Sequence, residues 1–105
     1  MENNTLNMQA LMQQAQKMQK EMQKKQQELE NTTFEVSSAG GAIKIKIKGS
    51  RQIEQIEIDK DAIDPEEKEM LEDMIKVAMN EANKLVDEAF EQLNSSMTNG
   101  LRMPF

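Results

Sequence analysis

The sequence predicts an α+β fold in which a long helix, a three-stranded antiparallel meander and a second long helix follow one another. Three observations predict it. Residues 5–30 lack Gly and Pro and carry apolar residues at helical spacing. Isoleucine and lysine alternate over residues 42–48, as in a strand with one buried and one solvated face. The run Asp64-Pro65-Glu66-Glu67 is a helix-start signal and precedes a long apolar stripe.

The first predicted helix, residues 5–30, is rich in Gln, Met, Lys, Glu and Ala, which are good helix formers. Its apolar residues are spaced by three and four in a heptad seam interrupted once, at Lys25. That seam comprises Met8, Leu11, Ala15, Met18, Met22 and Leu29. Lys25 is also a candidate for a polar, register-setting residue within the seam. The alternative is a disordered segment, because Gln and Lys dominate the composition; the regular seam favours the helix.

Residues 31–59 predict a three-stranded sheet. Phe34 and Val36 share one face of a first strand, and Gly40-Gly41 and Gly49-Ser50 bound the central strand. In the third strand, near 51–59, one isoleucine is out of phase with the other two. This predicts a β-bulge near Glu54-Gln55. The bulge would pair Ile47 with Ile53, Ile45 with Ile56, and Ile43 with Ile58.

The last helix is predicted over residues 64–96. Asp64 at the N-cap, Pro65 at the first helical position and Glu67 at the third are its start signals. The apolar stripe comprises Leu71, Met74, Ile75, Ala78, Ala82, Leu85, Ala89 and Leu93. Asn99-Gly100 predicts a stop, so residues 97–105 are expected to form a tail. Residues 1–105 are expected to form a single domain.

The predicted lengths suggest the overall shape. The helices would be about 39 and 46 Å long, against roughly 20–26 Å for the strands. They must therefore overhang the sheet, and their apolar seams need partners there. Aromatic residues make up only 3% of the chain, so a monomer has a modest core. A symmetric homodimer with helical arms projecting from a β-centred base satisfies these constraints.

The composition argues against several classes of protein. The chain has no Cys and no His, which removes thiol nucleophiles, imidazole bases and most zinc sites. It has no glycine-rich phosphate loop either, so we expect no enzyme, cofactor or metal. No apolar run approaches the roughly 20 residues of a membrane span, and the N-terminus has no signal-peptide pattern. A cytoplasmic protein is expected.

Charge is distributed unevenly along the chain. The net charge is −6, yet residues 1–27 carry four lysines against two acids. Lys17, Lys20 and Lys24 are spaced by three and four, which places them in one line on the outer face of the first helix, with Lys25 adjacent. Lysines can bind phosphates, and the surrounding glutamines can hydrogen-bond phosphates or base edges. These four lysines are the candidate DNA-binding residues; the alternative is a solvated face paired with acids of the last helix.

A second basic row lies on the central strand. Lys44, Lys46 and Lys48, with Arg51 at the following turn, could contact phosphates. The predicted register instead favours a solvated sheet face, with Lys44 opposite Glu57, Lys46 beside Glu54, and Glu35 on the same polar face. The methionines are interpreted as core residues rather than as a groove for partner helices.

The order of elements and several short motifs together resemble the YbaB/EbfC family of bacterial nucleoid-associated proteins. The matching segments are S-S-A-G-G at 37–41, K-G at 48–49, I-x-I-D at 56–59, L-E-D-M-I-K-V-A-M-N-E-A at 71–82 and N-G-L-x-x-P at 99–104. The most specific is 71–82, and the resemblance covers nearly the whole chain. One departure is Ala42, where relatives often extend the glycine run; it concerns turn flexibility.

The resemblance implies a cytoplasmic, nucleoid-associated homodimer shaped like tweezers. It also implies binding to duplex DNA with little sequence specificity and a change in the conformation of that DNA. The family has no sharp motif of DNA-contacting residues, so the resemblance assigns no contact residue here. The alternative function is a protein-interaction module or chaperone-like clamp that grips a partner protein between Met-lined arms. The net charge of −6 favours the clamp, and the resemblance favours DNA.

Overall fold

A computed structural model describes the backbone of residues 2–101 and the side chains of residues 7–96. The elements are α1 (Glu2–Glu30), β1 (Thr33–Ser38), β2 (Ile43–Lys48), β3 (Ile53–Ile58) and α2 (Lys68–Leu101). Short 3-10 turns lie at Ala39–Gly41, Lys60–Ala62 and Pro65–Glu67. The predicted order of helix, meander and helix is confirmed.

The sheet is antiparallel throughout, in the order β1-β2-β3. The predicted bulge is confirmed: Lys46 pairs with Gln55 and Ile47 pairs with Ile53, so Glu54 is the extra residue. The bulge restores the phase of β3 and brings its isoleucines to the face that carries those of β2. All three predicted isoleucine pairs are present in the register.

The core lies between this isoleucine face and α2, which crosses β1 and β2. Its fully buried residues are Ile43, Ile45, Ile47, Ala78, Ala82 and Val86. The alanines let the helix backbone approach the sheet closely, and each buried isoleucine contributes roughly 1.5–3 kcal/mol of burial free energy. Coverage is incomplete on the side of β3, where Ile56 keeps 46% of its surface exposed.

The start of the second helix agrees with its sequence signals. The carboxylate of Asp64 accepts a hydrogen bond of 3.0 Å from the backbone N–H of Glu66. Pro65–Glu67 forms a 3-10 turn, and the α-helix begins at Lys68. Asp64 therefore satisfies one of the backbone donors that the helix start leaves without a partner.

Besides the α-helical start of α2, which lies at Lys68 rather than Pro65, the predicted helix ends were wrong in two further places. α1 begins at Glu2 rather than Thr5, and α2 continues through Asn99-Gly100 to Leu101. A single Gly in a helix costs only about 1 kcal/mol, so a helix stabilised along its length can pass through it. Of the predicted tail, residues 97–101 are thus helical, and 102–105 lie outside the described residues.

The chain is extended. Its radius of gyration is 21.5 Å and its extents are 79 × 28 × 16 Å, against about 13 Å for the radius of gyration of a compact domain of this length. Both helices leave the sheet at the β2–β3 turn, where Glu30, Gly49, Arg51 and Phe90 line one cleft. α1 ends at this turn and α2 continues past it, so the two helices run antiparallel.

The seam of α1 is buried only near the sheet. Side chains at Met18, Met22, Gln26 and Leu29 are half-buried. Farther out, Met8, Leu11 and Met12 are 61–64% exposed. Gln26 therefore continues the seam, and the interpretation of Lys25 as a seam residue was wrong; Lys25 is exposed.

Candidate nucleic-acid interface

The four candidate lysines lie on the middle and base of α1, and all are exposed. At about 100° per residue, Lys17, Lys20 and Lys24 fall within an arc of about 60°. The centre of that arc lies across the helix from the seam, and Lys25 lies between the arc and the seam. Lys17 and Lys24 are separated by about 10 Å along the axis, which matches roughly three base-pair steps of duplex DNA.

These lysines are not neutralised by neighbouring acids. Among the side chains of residues 7–96, ion pairs join Lys46 to Glu35, Lys68 to Glu72, and Arg51 to Asp87. None of them involves a lysine of α1. The expected alternative, pairing with acids of the last helix, is therefore absent from the part of the chain that is described, and the ammonium groups face solvent.

The lysine row of β2 differs in detail from its prediction. Lys44 is opposite Glu57 in the register, as predicted. Lys46 is opposite Gln55 rather than beside Glu54, and its ion pair of 3.6 Å is with Glu35. The predicted neighbour of Lys46 differs because the bulge redirects Glu54. The carboxylate of Glu54 instead accepts a hydrogen bond from the hydroxyl of Thr33.

Arg51 does not belong to that row. Its guanidinium donates to the side-chain oxygen of Asn83 at 2.8 Å and to the carboxylate of Asp87, both on α2. Arg51 is thus held against α2 and set apart from the lysines of β2. The contact joins residues 32 and 36 positions apart, and no local sequence pattern signals it.

The described surface offers no metal-binding or deeply enclosed arrangement of side chains. Residues 7–96 contain no group of three or more acidic, His or Cys side chains positioned for a metal ion. A depression on the sheet, bounded by Glu35, Lys44, Lys46 and Gln55, is open to solvent. Within the described part of the chain, no helix is long and apolar enough to cross a membrane. The molecule is a small α+β protein in which the long helix α1 carries four exposed lysines.

Comparison with known proteins identifies the family. Residues 3–101 match the model of the YbaB/EbfC DNA-binding family, and the chain belongs to that family. A nucleoid-associated protein of Ruminiclostridium cellulolyticum is 50% identical over 95 residues, which cover 90% of this chain and 83% of that one. A nucleoid-associated protein of Clostridium novyi is 46% identical over 99 residues, covering 94% of this chain and 87% of that one.

A solved structure has the same fold. The crystal structure of an uncharacterized protein from Helicobacter pylori matches with a TM-score of 0.70 and 24% identity, covering 84% of this chain and 92% of that one. At this identity the likeness concerns the fold alone. It supports the arrangement of two long helices about a three-stranded sheet.

Proposed function

We propose that the protein is a cytoplasmic, nucleoid-associated protein that binds duplex DNA through its phosphate backbone, with Lys17, Lys20, Lys24 and Lys25 as the contact residues. The observation that carries the proposal is a line of exposed lysines on a projecting helix, without ion-pair partners among the side chains of residues 7–96. Membership of a DNA-binding family favours this function over the protein clamp.

The charge distribution fits a binding mode with little sequence specificity. Lysine is a point charge that positions a protein on phosphates without reading base edges. The acidic remainder of the molecule repels DNA and so restricts contact to α1. A duplex held by such arms would follow their spacing, which is how binding would alter its conformation.

We further propose that the active form is a homodimer with paired arms. Several large apolar side chains remain exposed in a single chain, among them Ile56, Ile63, Met70 and Val77 at 46–58%. Burying them against a second copy would stabilise the assembly by removing apolar surface from water. Light scattering should give a mass of two chains; a mass near 12.0 kDa would refute the dimer.

The DNA proposal is tested by titrating a labelled duplex at several salt concentrations. With four lysines from each of two chains, the slope of log K against log salt should be about −7. Replacing Lys17, Lys20 and Lys24 by Glu should abolish tight binding and reduce the slope to roughly −2. The matched control replaces Lys60, Lys76 and Lys84 by Glu; these lysines are also exposed, and the control has the same net charge.

The two triple variants distinguish DNA contact at α1 from an effect of the protein's net charge alone. If contact is confined to α1, the control retains most of the affinity of the wild type. A control that binds as poorly as the α1 variant would mean that net charge alone governs binding. A salt-independent signal in the wild type would exclude phosphate contact.

A further inference from the structure

The β2–β3 turn, residues 49–51, is bound to the end of α1. The backbone N–H of Gly49 donates to the carbonyl of Thr32, and that of Ser50 donates to the carbonyl of Glu30, both at 3.0 Å. The approach is close: a Cβ on Gly49 would lie 1.9 Å from the carbonyl oxygen of Leu29. The turn therefore fixes the position at which α1 leaves the sheet.

The same turn is bound to α2 through one side chain. Arg51 donates from Nη1 to Asn83 and from Nη2 to Asp87. The two acceptors are four residues apart and so lie one above the other on the helix surface. A planar guanidinium with several fixed donors suits this arrangement, because it can bridge both acceptors at once. Within the three residues of the turn, backbone hydrogen bonds reach the last residue of α1 and the segment just after it, and the guanidinium of Arg51 reaches α2.

The backbone conformation of Arg51 points to a function for its side chain. Its φ of 72° is in the left-handed region, which disfavours residues other than Gly. Its N–H donates to the carbonyl of Lys48 at 2.8 Å, which closes a three-residue hairpin loop. Glycine would adopt this conformation at lower cost. Strained residues persist where the surrounding structure holds them, and they cluster at functional positions.

Direct contact between Arg51 and DNA is disfavoured by the surroundings. The cleft at the junction of the turn and the two helices is also lined by Glu30, Asp87 and Glu91. A phosphate brought to Arg51 would approach these carboxylates, which repel it. The guanidinium is already engaged by its two acceptors on α2.

We propose that Arg51 is a positioning residue for DNA binding: it ties α2 to the turn that holds α1, and so fixes the relative orientation of the two helical arms. This inference rests on the proposed function, since the orientation matters for DNA only if the lysines of α1 contact it. Loss of the tie leaves every proposed phosphate contact present but held less rigidly.

The first test compares three variants in the duplex titration. Arg51→Gly removes the guanidinium and suits the left-handed backbone, so the turn itself is retained. Asp87→Ala removes the charged acceptor and leaves Arg51 in place. Lys68→Gln is the control, because it breaks a 3.5 Å ion pair with Glu72 that lies within α2 alone.

A positioning role and direct phosphate contact give opposite results for Asp87→Ala. If Arg51 acts through α2, both Arg51→Gly and Asp87→Ala weaken binding about two- to five-fold, the range of an exposed ion pair, with the salt slope unchanged. The control binds like the wild type. If Arg51 contacts phosphate instead, Asp87→Ala strengthens binding and Arg51→Gly lowers the slope by about one; that result overturns the proposal.

The second test measures the arms without DNA. The chain has no Cys, so single cysteines at the exposed positions Gln16 and Ser95 accept spin labels specifically. Dilution with unlabelled protein isolates distances within one chain. Pulsed electron paramagnetic resonance should give a broader distance distribution for Arg51→Gly and Asp87→Ala than for Lys68→Gln.

The two readouts separate failure of this inference from failure of the proposed function. Wild-type protein that does not bind duplex DNA refutes the proposed function, while broadening in the two variants still supports the tie between the arms. An unchanged distance distribution in Arg51→Gly overturns the inference, whatever the affinity for DNA.

Discussion

Substituting Gly49 by Ala places a methyl group where α1 ends. The new Cβ would lie 1.9 Å from the carbonyl oxygen of Leu29, 2.7 Å from its carbonyl carbon and 3.0 Å from the Cα of Glu30. All three are backbone atoms, so no side-chain rotation relieves the clash. The end of α1 and the β2–β3 turn must move apart by roughly 1 Å or more to restore ordinary contact distances.

The cost follows from what this movement breaks. The hydrogen bonds from Gly49 to Thr32 and from Ser50 to Glu30, both 3.0 Å, would be stretched beyond the useful range. Losing them costs about 0.5–1.5 kcal/mol each, and overpacking adds about 1–3 kcal/mol. We expect the free energy of unfolding to fall by about 2–6 kcal/mol.

Urea unfolding followed by far-ultraviolet circular dichroism measures this change, since the chain has no Trp or Tyr for fluorescence. With an m value of about 2 kcal/mol/M, the midpoint should fall by roughly 1–3 M. Protein concentration must be held constant, because unfolding of the proposed dimer would depend on it.

Gly40→Ala is the matched control. A Cβ at Gly40 meets nothing within 4 Å, but its φ of 67° is left-handed, so this variant should lose only about 1–2 kcal/mol. A Gly49→Ala midpoint equal to or above that of Gly40→Ala would refute the steric argument. It would also remove the evidence that the turn fixes α1.

Two further substitutions test the fold. Ile45→Ala should destabilise the protein by about 2–5 kcal/mol in urea unfolding, because Ile45 is 1% exposed and its loss leaves a cavity; a loss below that of the exposed Ile56→Ala would contradict the assigned core. Asp64→Ala should cost about 0.5–2 kcal/mol through loss of the helix cap, whereas Asp64→Asn, which keeps an acceptor oxygen, should cost less; equal losses would show that the cap is not the cause.

The sheet is predictable from the sequence because its register is decided by burial. Only one face of β2 is buried, so a slip of one residue would expose its isoleucines and bury its lysines. The same requirement places the bulge near Glu54-Gln55 from the spacing of the isoleucines alone, and the observed register puts it at Glu54. Asp64 is predictable for a different reason, since capping acts within a few residues of the chain.

Contacts between distant residues are not predictable in this way. In the sequence Gly49 is an ordinary turn glycine. In the structure, its lack of a side chain also lets the carbonyl of Leu29 approach closely. Arg51 follows a basic row in the sequence, and only its three-dimensional position joins it to Asp87. These contacts depend on how the helices lie against the sheet, and the periodicity of either helix leaves that open.

The candidate DNA-binding helix likewise has features that residue spacing predicts and one that it does not. The line of Lys17, Lys20 and Lys24 follows from spacing alone, and their part in DNA binding stays a prediction. The interpretation of Lys25 as a seam residue is wrong. No apolar residue lies between Met22 and Leu29, so the apolar pattern does not indicate which side chain continues the seam there. Met22, Gln26 and Leu29 keep the spacing of four and three, and the aliphatic part of a glutamine can pack in a seam.

Because α1 is held near one end, a small rotation at that end produces a larger displacement at the other. Its 29 residues form a rod about 43 Å long, so a tilt of about 5° at Gly49 moves the far end by about 4 Å. That displacement slightly exceeds the rise of one base pair. In the proposed complex with DNA, the stiffness of the three-residue turn would therefore contribute to how precisely the far end of the arm is placed.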